Sequence, residues 1–309
     1  MPSASNPSES SLVAFSNSLA DIVANVGNSV LAFDGQRFSC SGIYWREGII
    51  VTSEENIKRT EGIRVILPNG ETSPVTLLGR DPSTDVAVFK SQASLPIAPI
   101  DQEVELKVGH LAIAIGRNRD RGLFASQGIV STVGGSWRST LGGHIDSFIR
   151  LDLNFYPGSG GSALVNAAGK VVGFNTTGPR RSVLSIPAAT VERVIEQLLA
   201  TGHIRRGYLG LAMQPVSLPD SIAERLSLNT RQGLMVVNVE PQSPAEQAGI
   251  ILGDILIAIE DTTINRLRDI QAYLEPQNVG TTIQIQLIRA GELRNVSLTV
   301  GDKGSSHEG

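Results

Sequence analysis

A glycine-rich segment at residues 157–162, PGSGGS, carries residue types that could do nucleophilic chemistry. A loop of the form Pro-Gly-x-Ser-Gly-Gly presents a serine hydroxyl on a tight backbone, and the N–H groups of that backbone can stabilise an oxyanion. The segment is close to this form without matching it, because Gly160 stands where the form has serine. The sequence therefore raises the question of whether a nucleophile is present.

Short β-rich runs separated by turn residues fill residues 29–186, on both sides of this loop. Several are joined by hairpin signals such as PNGE at residues 68–71, which is typical of a sandwich or paired barrels rather than of alternating β and α units. Apolar residues at helical spacing predict one helix from Leu12 to Val26 and another at residues 190–200. Gly202 suits the left-handed residue that ends a helix.

Residues 207–302 read as a second unit, a compact α+β domain. Strand-like runs such as GLMVVNVE and DILIAIED alternate with the helix-like segments SIAERL, AEQAGI and RLRDIQAYLEP, and a hairpin joins the last two strands. The predicted divisions are a disordered tail at 1–11, a β domain at 12–200, a linker at 201–206, the α+β domain at 207–302 and a polar tail at 303–309.

The composition is that of a soluble globular chain long enough for two domains, with 309 residues, 41% of them hydrophobic and 18% charged. The net charge is −4 and the basic residues are scattered, so we expect no nucleic-acid partner. Cys40 is the single cysteine and reads as a small buried residue. It excludes an internal disulfide, and the four histidines do not have a zinc spacing, so we expect no metal or other cofactor.

The N-terminal sequence MPSASNPSESS lacks the basic region of a signal peptide. The apolar stretch that follows is interrupted by Asn17, Asp21, Asn25 and Asn28, so we expect no membrane span. Together these features predict a cytoplasmic location.

The order of the segments resembles the HtrA (Deg) family, in which a trypsin-like double β-barrel is followed by a PDZ domain. The stretches that carry the resemblance are SGIYWREGIIVTS, GRDPSTDVAVFK, YPGSGGSALVNAAGKVVGFNT, GYLGL and SPAEQAGIILGDILIAI. The resemblance covers nearly the whole chain. It implies a mainly β fold with a double six-stranded barrel and a smaller α+β PDZ domain, assembly into a homo-oligomer, commonly a trimer, and a role in protein quality control.

In such proteases a serine attacks the peptide carbonyl, a histidine takes its proton, an aspartate holds the histidine, and backbone N–H groups stabilise the oxyanion. The resemblance places Asp85 at the aspartate position. Glu55 stands at the histidine position, because the family's Val-Thr-x-x-His reads VTSEE at residues 51–55. In ungapped register Gly160 stands at the serine position, and a shift of one residue would bring Ser159 there. The oxyanion loop would consist of Gly158, Ser159, Gly160 and Gly161.

These substitutions favour a pseudoprotease that binds peptides or protein C-termini. One alternative is an active serine-type endopeptidase that uses Ser159 with an unconventional base such as Glu55. The remaining histidines lie in segments that do not suggest a base; they are His110, His144, His203 and His307. A second alternative is a non-catalytic regulatory subunit of an HtrA-type oligomer, with the helix from Leu12 to Val26 as a contact. The glycine loop either keeps a backbone site for a carbonyl or carboxylate or only closes a hairpin.

In PDZ domains a peptide adds as a strand to a sheet edge, and backbone N–H groups of a short loop hold its C-terminal carboxylate. The resemblance assigns this loop to Tyr208, Leu209, Gly210 and Leu211. It assigns the opposite wall of the groove to Leu267, Ile270 and Leu274. The other interpretation is that these apolar side chains belong to the core.

Overall fold

The computed structural model describes residues 11–34, 40–179 and 182–302. The predicted disordered tail, apart from Ser11, lies outside these residues, as do the polar tail at 303–309 and His307 within it. The chain divides into two compact units, one ending at Gly202 and the other beginning at His203. The glycine-rich loop belongs to the first unit and the segment 207–211 to the second.

The first unit begins with a helix and continues as a closed six-stranded barrel with the strand order β1-β2-β3-β6-β5-β4. These elements are α1 (Ser11–Gly27), β1 (Val30–Asp34), β2 (Ser41–Arg46), β3 (Ile49–Ser53), β4 (Arg64–Ile66), β5 (Thr72–Asp81) and β6 (Val86–Ser91). The rings of Phe33 and Phe89 meet inside the barrel with centroids 4.9 Å apart. Cys40 is buried in the same core, as the sequence predicts.

A second closed barrel follows, with the strand order β11-β14-β13-β12-β7-β8 and a separate two-stranded ribbon of β9 and β10. Its elements are β7 (Leu111–Asn118), β8 (Gly122–Gly134), β9 (Trp137–Arg138), β10 (His144–Ile145), β11 (Phe148–Asp152), β12 (Ala163–Val165), β13 (Val171–Thr177) and β14 (Val183–Pro187). Closure pairs both edges of each sheet, which removes exposed strand edges. The two barrels confirm the predicted double six-stranded architecture.

Two helices flank the barrels. Helix α2 (Ala188–Thr201) ends where Gly202 takes the left-handed conformation, as its sequence predicts. Helix α1 is fixed at its C-terminal end, because the guanidinium of Arg117 donates to Gly27 O at 2.9 Å. Its first turns are instead apolar and exposed, with Leu12 78% and Phe15 50% accessible.

The second unit is built on a sheet with the strand order β16-β17-β18-β20-β21, in which β16 is an edge strand. Its elements are β15 (Gly207–Tyr208), β16 (Leu211–Ser217), α3 (Asp220–Arg225), β17 (Gln232–Val239), α4 (Pro244–Gln247), β18 (Ile255–Ile259), β19 (Thr262–Thr263), α5 (Leu267–Ile270), β20 (Thr282–Arg289), β21 (Glu292–Thr299) and β22 (Gly301–Asp302). The short strand β22 pairs with β15 beside the start of β16.

The helix predicted at RLRDIQAYLEP is shorter than its apolar spacing indicates. Only α5 is α-helical, and the chain continues as a 3-10 turn over Gln271–Leu274. Glu275 then takes an extended conformation with ψ of 149°, because the residue before a proline is disfavoured in helical geometry and Pro276 follows it. The segment α5 to Leu274 nevertheless packs along the same core as the sheet.

Candidate functional site

Asp85 lies directly before β6, and hydrogen-bond donors surround its carboxylate. Its Oδ2 atom accepts hydrogen bonds from Ser53 Oγ at 2.7 Å and from the hydroxyl of Thr176. Its Oδ1 atom accepts one from the backbone N–H of Glu55 at 2.8 Å. Because Ser53 ends β3 and Thr176 lies on β13, the two barrels meet at this carboxylate. The aspartate is therefore held in a fixed orientation.

Burial raises the pKa of Asp85 from 3.8 to about 6. Hydrogen bonds from Thr176, from the backbone of Glu55 and from Ser53 oppose this rise, whereas the negative charge of Glu55 adds to it. No cationic side chain in the described ranges forms an ion pair with Asp85. In a triad the histidine supplies that positive partner as it takes the proton, so here only dipoles stabilise the charged carboxylate.

The segment expected to hold the triad histidine forms a 3-10 turn, Glu54–Asn56, in which Glu54 and Glu55 are acidic. Glu55 is exposed, and it reaches Asp85 only through its backbone N–H. Asn56 turns inward instead, and its Nδ2 atom donates to Ser53 Oγ at 3.0 Å. A Cβ atom at Gly160 would lie 2.4 Å from the same Nδ2 atom. Asn56 thus packs against Gly160, in the space that a side chain at that residue would need.

Both serines of the glycine loop support the turn itself. Ser159 is 1% exposed, and its Oγ atom accepts a hydrogen bond from the backbone N–H of Tyr156 at 2.9 Å. Ser162 is fully buried, and its Oγ atom accepts one from Asn175 Nδ2 at 3.0 Å. No base contacts either hydroxyl among the described residues. The structure therefore brings neither Ser159 nor Ser162 together with Asp85 or Glu55.

A slide of the loop by one residue is opposed by its backbone. Moving Ser159 into the place of Gly160 would move Pro157 into the place of Gly158, which has a φ of 100°. The proline ring fixes φ near −65°, so proline cannot take that conformation. The loop is also tied to β2, because Ser41 N donates to Gly160 O at 2.9 Å and Ser41 Oγ donates to Gly158 O at 2.7 Å.

The three described histidines form their contacts elsewhere. His110 Nδ1 accepts from Lys107 N at 3.2 Å, and His144 lies against Arg193 with Nδ1 3.5 Å from its guanidinium. His203 belongs to the second unit, where it pairs with Asp302 at 3.0 Å. None of these contacts involves the glycine loop.

The second unit carries a groove of about 310 Å³ between β16 and the segment formed by α5 and the following 3-10 turn. Six of the residues expected there line it, namely Tyr208, Leu209, Gly210, Leu211, Ile270 and Leu274. Leu267, also expected in the wall, does not line this groove and is 49% exposed. Leu209 and Ile270 are also core residues, since they are only 4% and 2% exposed.

The loop before β16 has two backbone donors that are open in the sense that no protein acceptor among the described residues binds them. The carbonyls of Leu209 and Gly210 accept hydrogen bonds from Ala245 N and Glu240 N, both at 2.9 Å. Across the part of the chain that the structure describes, the N–H groups of the same two residues donate to no protein acceptor. Adjacent open N–H groups of this kind can bind a carboxylate.

Strand β16 pairs with β17 on one side only, so its other edge is open beside the groove. Such an edge is a template for an added strand. Pro215 lies within β16 and has no N–H to donate, so it interrupts the row of donors along the edge.

Sequence reasoning missed two polar residues of the groove, Asn238 and Glu240. The hydroxyl of Tyr208 donates a hydrogen bond to Glu240 Oε2. The pKa of Tyr208 rises to about 12, because the ring is partly desolvated and its hydroxyl binds the negatively charged carboxylate. The sequence contains no indication of the contact between Tyr208 and Glu240, because Glu240 follows the end of β17 and is not part of a periodic apolar pattern.

Comparison with known proteins agrees with this architecture. Residues 40–174 match the trypsin-like peptidase domain family, and residues 207–300 match the PDZ domain family. A probable periplasmic serine endoprotease DegP-like of Chlamydia pneumoniae is 32% identical over 264 residues, covering 82% of this chain and 53% of the relative. A protein of the same description from Halomonas elongata is 30% identical over 270 residues, covering 85% of this chain and 56% of the relative.

Solved structures are similar over almost the whole chain. A serine endoprotease from Yersinia pestis has 27% identity and a TM-score of 0.72, and the match covers 96% of this chain and 99% of that one. The HtrA-type protease AlgW with a decapeptide has 25% identity and a TM-score of 0.71, covering 92% and 98%.

The fold and these matches define a trypsin-like double barrel followed by a PDZ domain. The chain belongs to the HtrA family. It spans about half the length of the curated relatives it matches, 53% and 56% in the two named above.

The cytoplasmic location expected from the N-terminal sequence is wrong, because these relatives are named periplasmic endoproteases and point to the periplasm. The expectation depended on the composition of the first residues alone. Of the helices that the structure describes, none combines the length and the apolar character needed to cross a bilayer.

Proposed function

We propose that this chain is an HtrA-type pseudoprotease that binds peptides or protein C-termini through its PDZ domain. The main support for a loss of catalysis is the contact at Gly160, where Asn56 Nδ2 occupies the space that a serine side chain would need. Glu55, in the histidine's place, faces solvent. Removing triad members in serine proteases costs roughly a million-fold in kcat, which leaves only binding and the oxyanion site.

The test of this proposal is a comparison of the wild-type chain with Ser159→Ala. Both are incubated with a fluorescently labelled unfolded protein and with a serine-directed phosphonate, and an active HtrA-type relative serves as the positive control. We expect neither cleavage nor covalent labelling for either form. Inhibitor-sensitive cleavage that disappears in Ser159→Ala would establish the alternative, an active endopeptidase with Ser159 as nucleophile.

Peptide binding is supported by three features that converge on one groove. The open edge of β16 offers strand pairing, the N–H groups of Leu209 and Gly210 offer a site for a carboxylate, and the apolar wall at Ile270 and Leu274 offers a pocket for a terminal side chain. Fluorescence polarisation with peptides that end in Val, Leu or Ile, in free-acid and amidated forms, tests this function. We expect tighter binding of the free acids.

A role in assembly is supported by the first turns of α1. Leu12, Val13 and Phe15 expose apolar side chains there, and such residues are commonly covered in an oligomer. We propose that α1 contributes to a homo-oligomer, a trimer by family resemblance, or to mixed assembly with an active relative. Native mass measurement of the wild type and of Phe15→Asp, alone and mixed with the relative, tests this. A mass that is the same for both proteins would exclude α1 as the contact.

A further inference from the structure

The groove of the second unit has an asymmetric charge. Glu240 is the only ionised side chain among the residues that line it in the described chain. Its carboxylate is fixed by the hydroxyl of Tyr208, and that hydroxyl lies 3.1 Å from the position a Cβ atom would have at Gly210. The negative charge is therefore held beside the loop whose N–H groups are open, not at the distant end of the groove.

The direction of a bound peptide follows from the position of that loop. The open N–H groups precede Leu211, the first residue of β16. A C-terminal carboxylate bound there starts a strand that runs antiparallel to β16. Successive side chains of a strand point to opposite faces, so the last residue and the one before it contact different surfaces.

The last side chain of the peptide faces the apolar wall. Leu211 and Met213 pack toward the core cluster that contains Ile270, and Leu274 lies against the same cluster. The preceding side chain then faces the opposite surface, where Ala212 is paired with Asn238. Asn238 and Glu240 are two residues apart and both exposed, and both line the groove. This second surface is polar and negatively charged.

We propose that Glu240 makes the groove select C-termini with lysine or arginine next to an apolar last residue. The proposal rests on the proposed peptide-binding function. A free carboxylate at the loop is repelled by Glu240, and a cationic neighbour on the peptide offsets that repulsion while it pairs with the unused Glu240 oxygen and with Asn238. Tyr208 binds Glu240 Oε2, and no hydrogen bond to Glu240 Oε1 is formed among the described residues.

The test uses a peptide library with a free C-terminus and four randomised final positions, captured on the immobilised full-length chain and sequenced by mass spectrometry. Individual peptides with Lys, Ala or Glu at the penultimate position then give dissociation constants. We expect the peptide with Lys at the penultimate position to bind roughly three- to tenfold more tightly than the peptide with Glu at low salt. The difference should be smaller at high salt, because salt screens the interaction between exposed charges.

Matched variants assign the preference to one residue. Glu240→Gln should abolish it, Glu240→Lys should reverse it toward acidic residues, and Glu224→Gln, which makes the same charge change on exposed α3 outside the groove, should leave it unchanged. Apolar C-termini enriched with no penultimate charge preference would overturn the proposal about Glu240 and leave peptide binding intact. A library without any enrichment would instead overturn the peptide-binding function itself.

Discussion

The amide nitrogen of Asn56 lies 2.4 Å from the position that a Cβ atom would take on Gly160, and Asn56 Cγ lies 3.2 Å from it. Carbon atoms in contact are normally about 3.5–4.0 Å apart, so the two positions are complementary only while residue 160 has no side chain. Asn56 also donates to Ser53, which donates to Asp85. The contact is thus one end of a hydrogen-bonded chain that begins at Asp85.

Gly160→Ser alone should destabilise the first unit by about 1–3 kcal/mol, because the new side chain is forced against Asn56. We expect a lower Tm in thermal unfolding, and recovery of most of the loss when Asn56→Ala is added. Gly135→Ser is the matched control, since a Cβ there meets nothing within 4 Å. A Gly160→Ser protein as stable as the parent would show that Asn56 can swing aside.

Restoring the residue types of the triad should require three changes together. Glu55→His supplies a base beside Asp85, Gly160→Ser supplies the hydroxyl, and Asn56→Ala gives it room. Phosphonate labelling at position 160 is expected in this triple variant and in none of the single or double variants. Labelling of the parent chain would show that the loop already presents a reactive serine.

The contribution of Asp85 to the stability of the first unit should decrease as the pH rises from about 4 to about 6. The pKa of Asp85 is raised to about 6 by folding, from 3.8, so the folded chain binds this proton more tightly than the unfolded chain. That contribution is complete below the unfolded value and is lost as the pH passes the folded value. Asp85→Asn should therefore be up to about 3 kcal/mol more stable than the parent at pH 7.

Chemical denaturation across this pH range measures the effect. Asn at position 85 can still accept from the N–H of Glu55, and the hydroxyls of Ser53 and Thr176 can rotate to accept from its amide. Asp261→Asn, at an exposed turn, is the control and should leave the pH dependence unchanged. An identical pH profile for Asp85→Asn and the parent would contradict the raised pKa.

Leu274→Ala should weaken peptide binding by roughly five- to tenfold, because it removes apolar area from the groove wall. Leu267→Ala serves as its counterpart on the same segment, since Leu267 is exposed and outside the groove. Binding isotherms for apolar C-terminal peptides should be unchanged in that variant. Equal losses of peptide affinity in the two variants would place the pocket for the last side chain elsewhere along α5.

Cys40 should resist thiol reagents until the first unit unfolds. Its side chain is fully buried, and burial raises the pKa of the thiol to about 12, so little thiolate forms at neutral pH. We expect labelling by a maleimide only above the denaturant concentration at which the barrel fluorescence changes. Rapid labelling of the native chain would indicate local opening between Cys40 and Gly158, which form an isolated bridge.

Much of the architecture could be predicted because it depends on patterns of residue types that are visible in the sequence itself. Alternating apolar runs and turn residues indicate the strands, and the distinctive segment GRDPSTDVAVFK led to the expectation that Asp85 is the triad aspartate. The orientation of Asn56 was not predictable, since asparagine in a turn is usually solvated and its inward rotation depends on the space left by Gly160. The early end of α5 depends on Pro276 overriding an apolar spacing that favoured a longer helix.

Pro215 has a consequence for what the open edge of β16 can do. An unprotected strand edge is where one molecule can recruit another into a growing sheet, which is a route to aggregation. Because proline has no N–H to donate, the uninterrupted row of donors on β16 runs only from Leu211 to Gln214. The same edge can therefore accept the last few residues of a partner and still be too short to propagate a fibre.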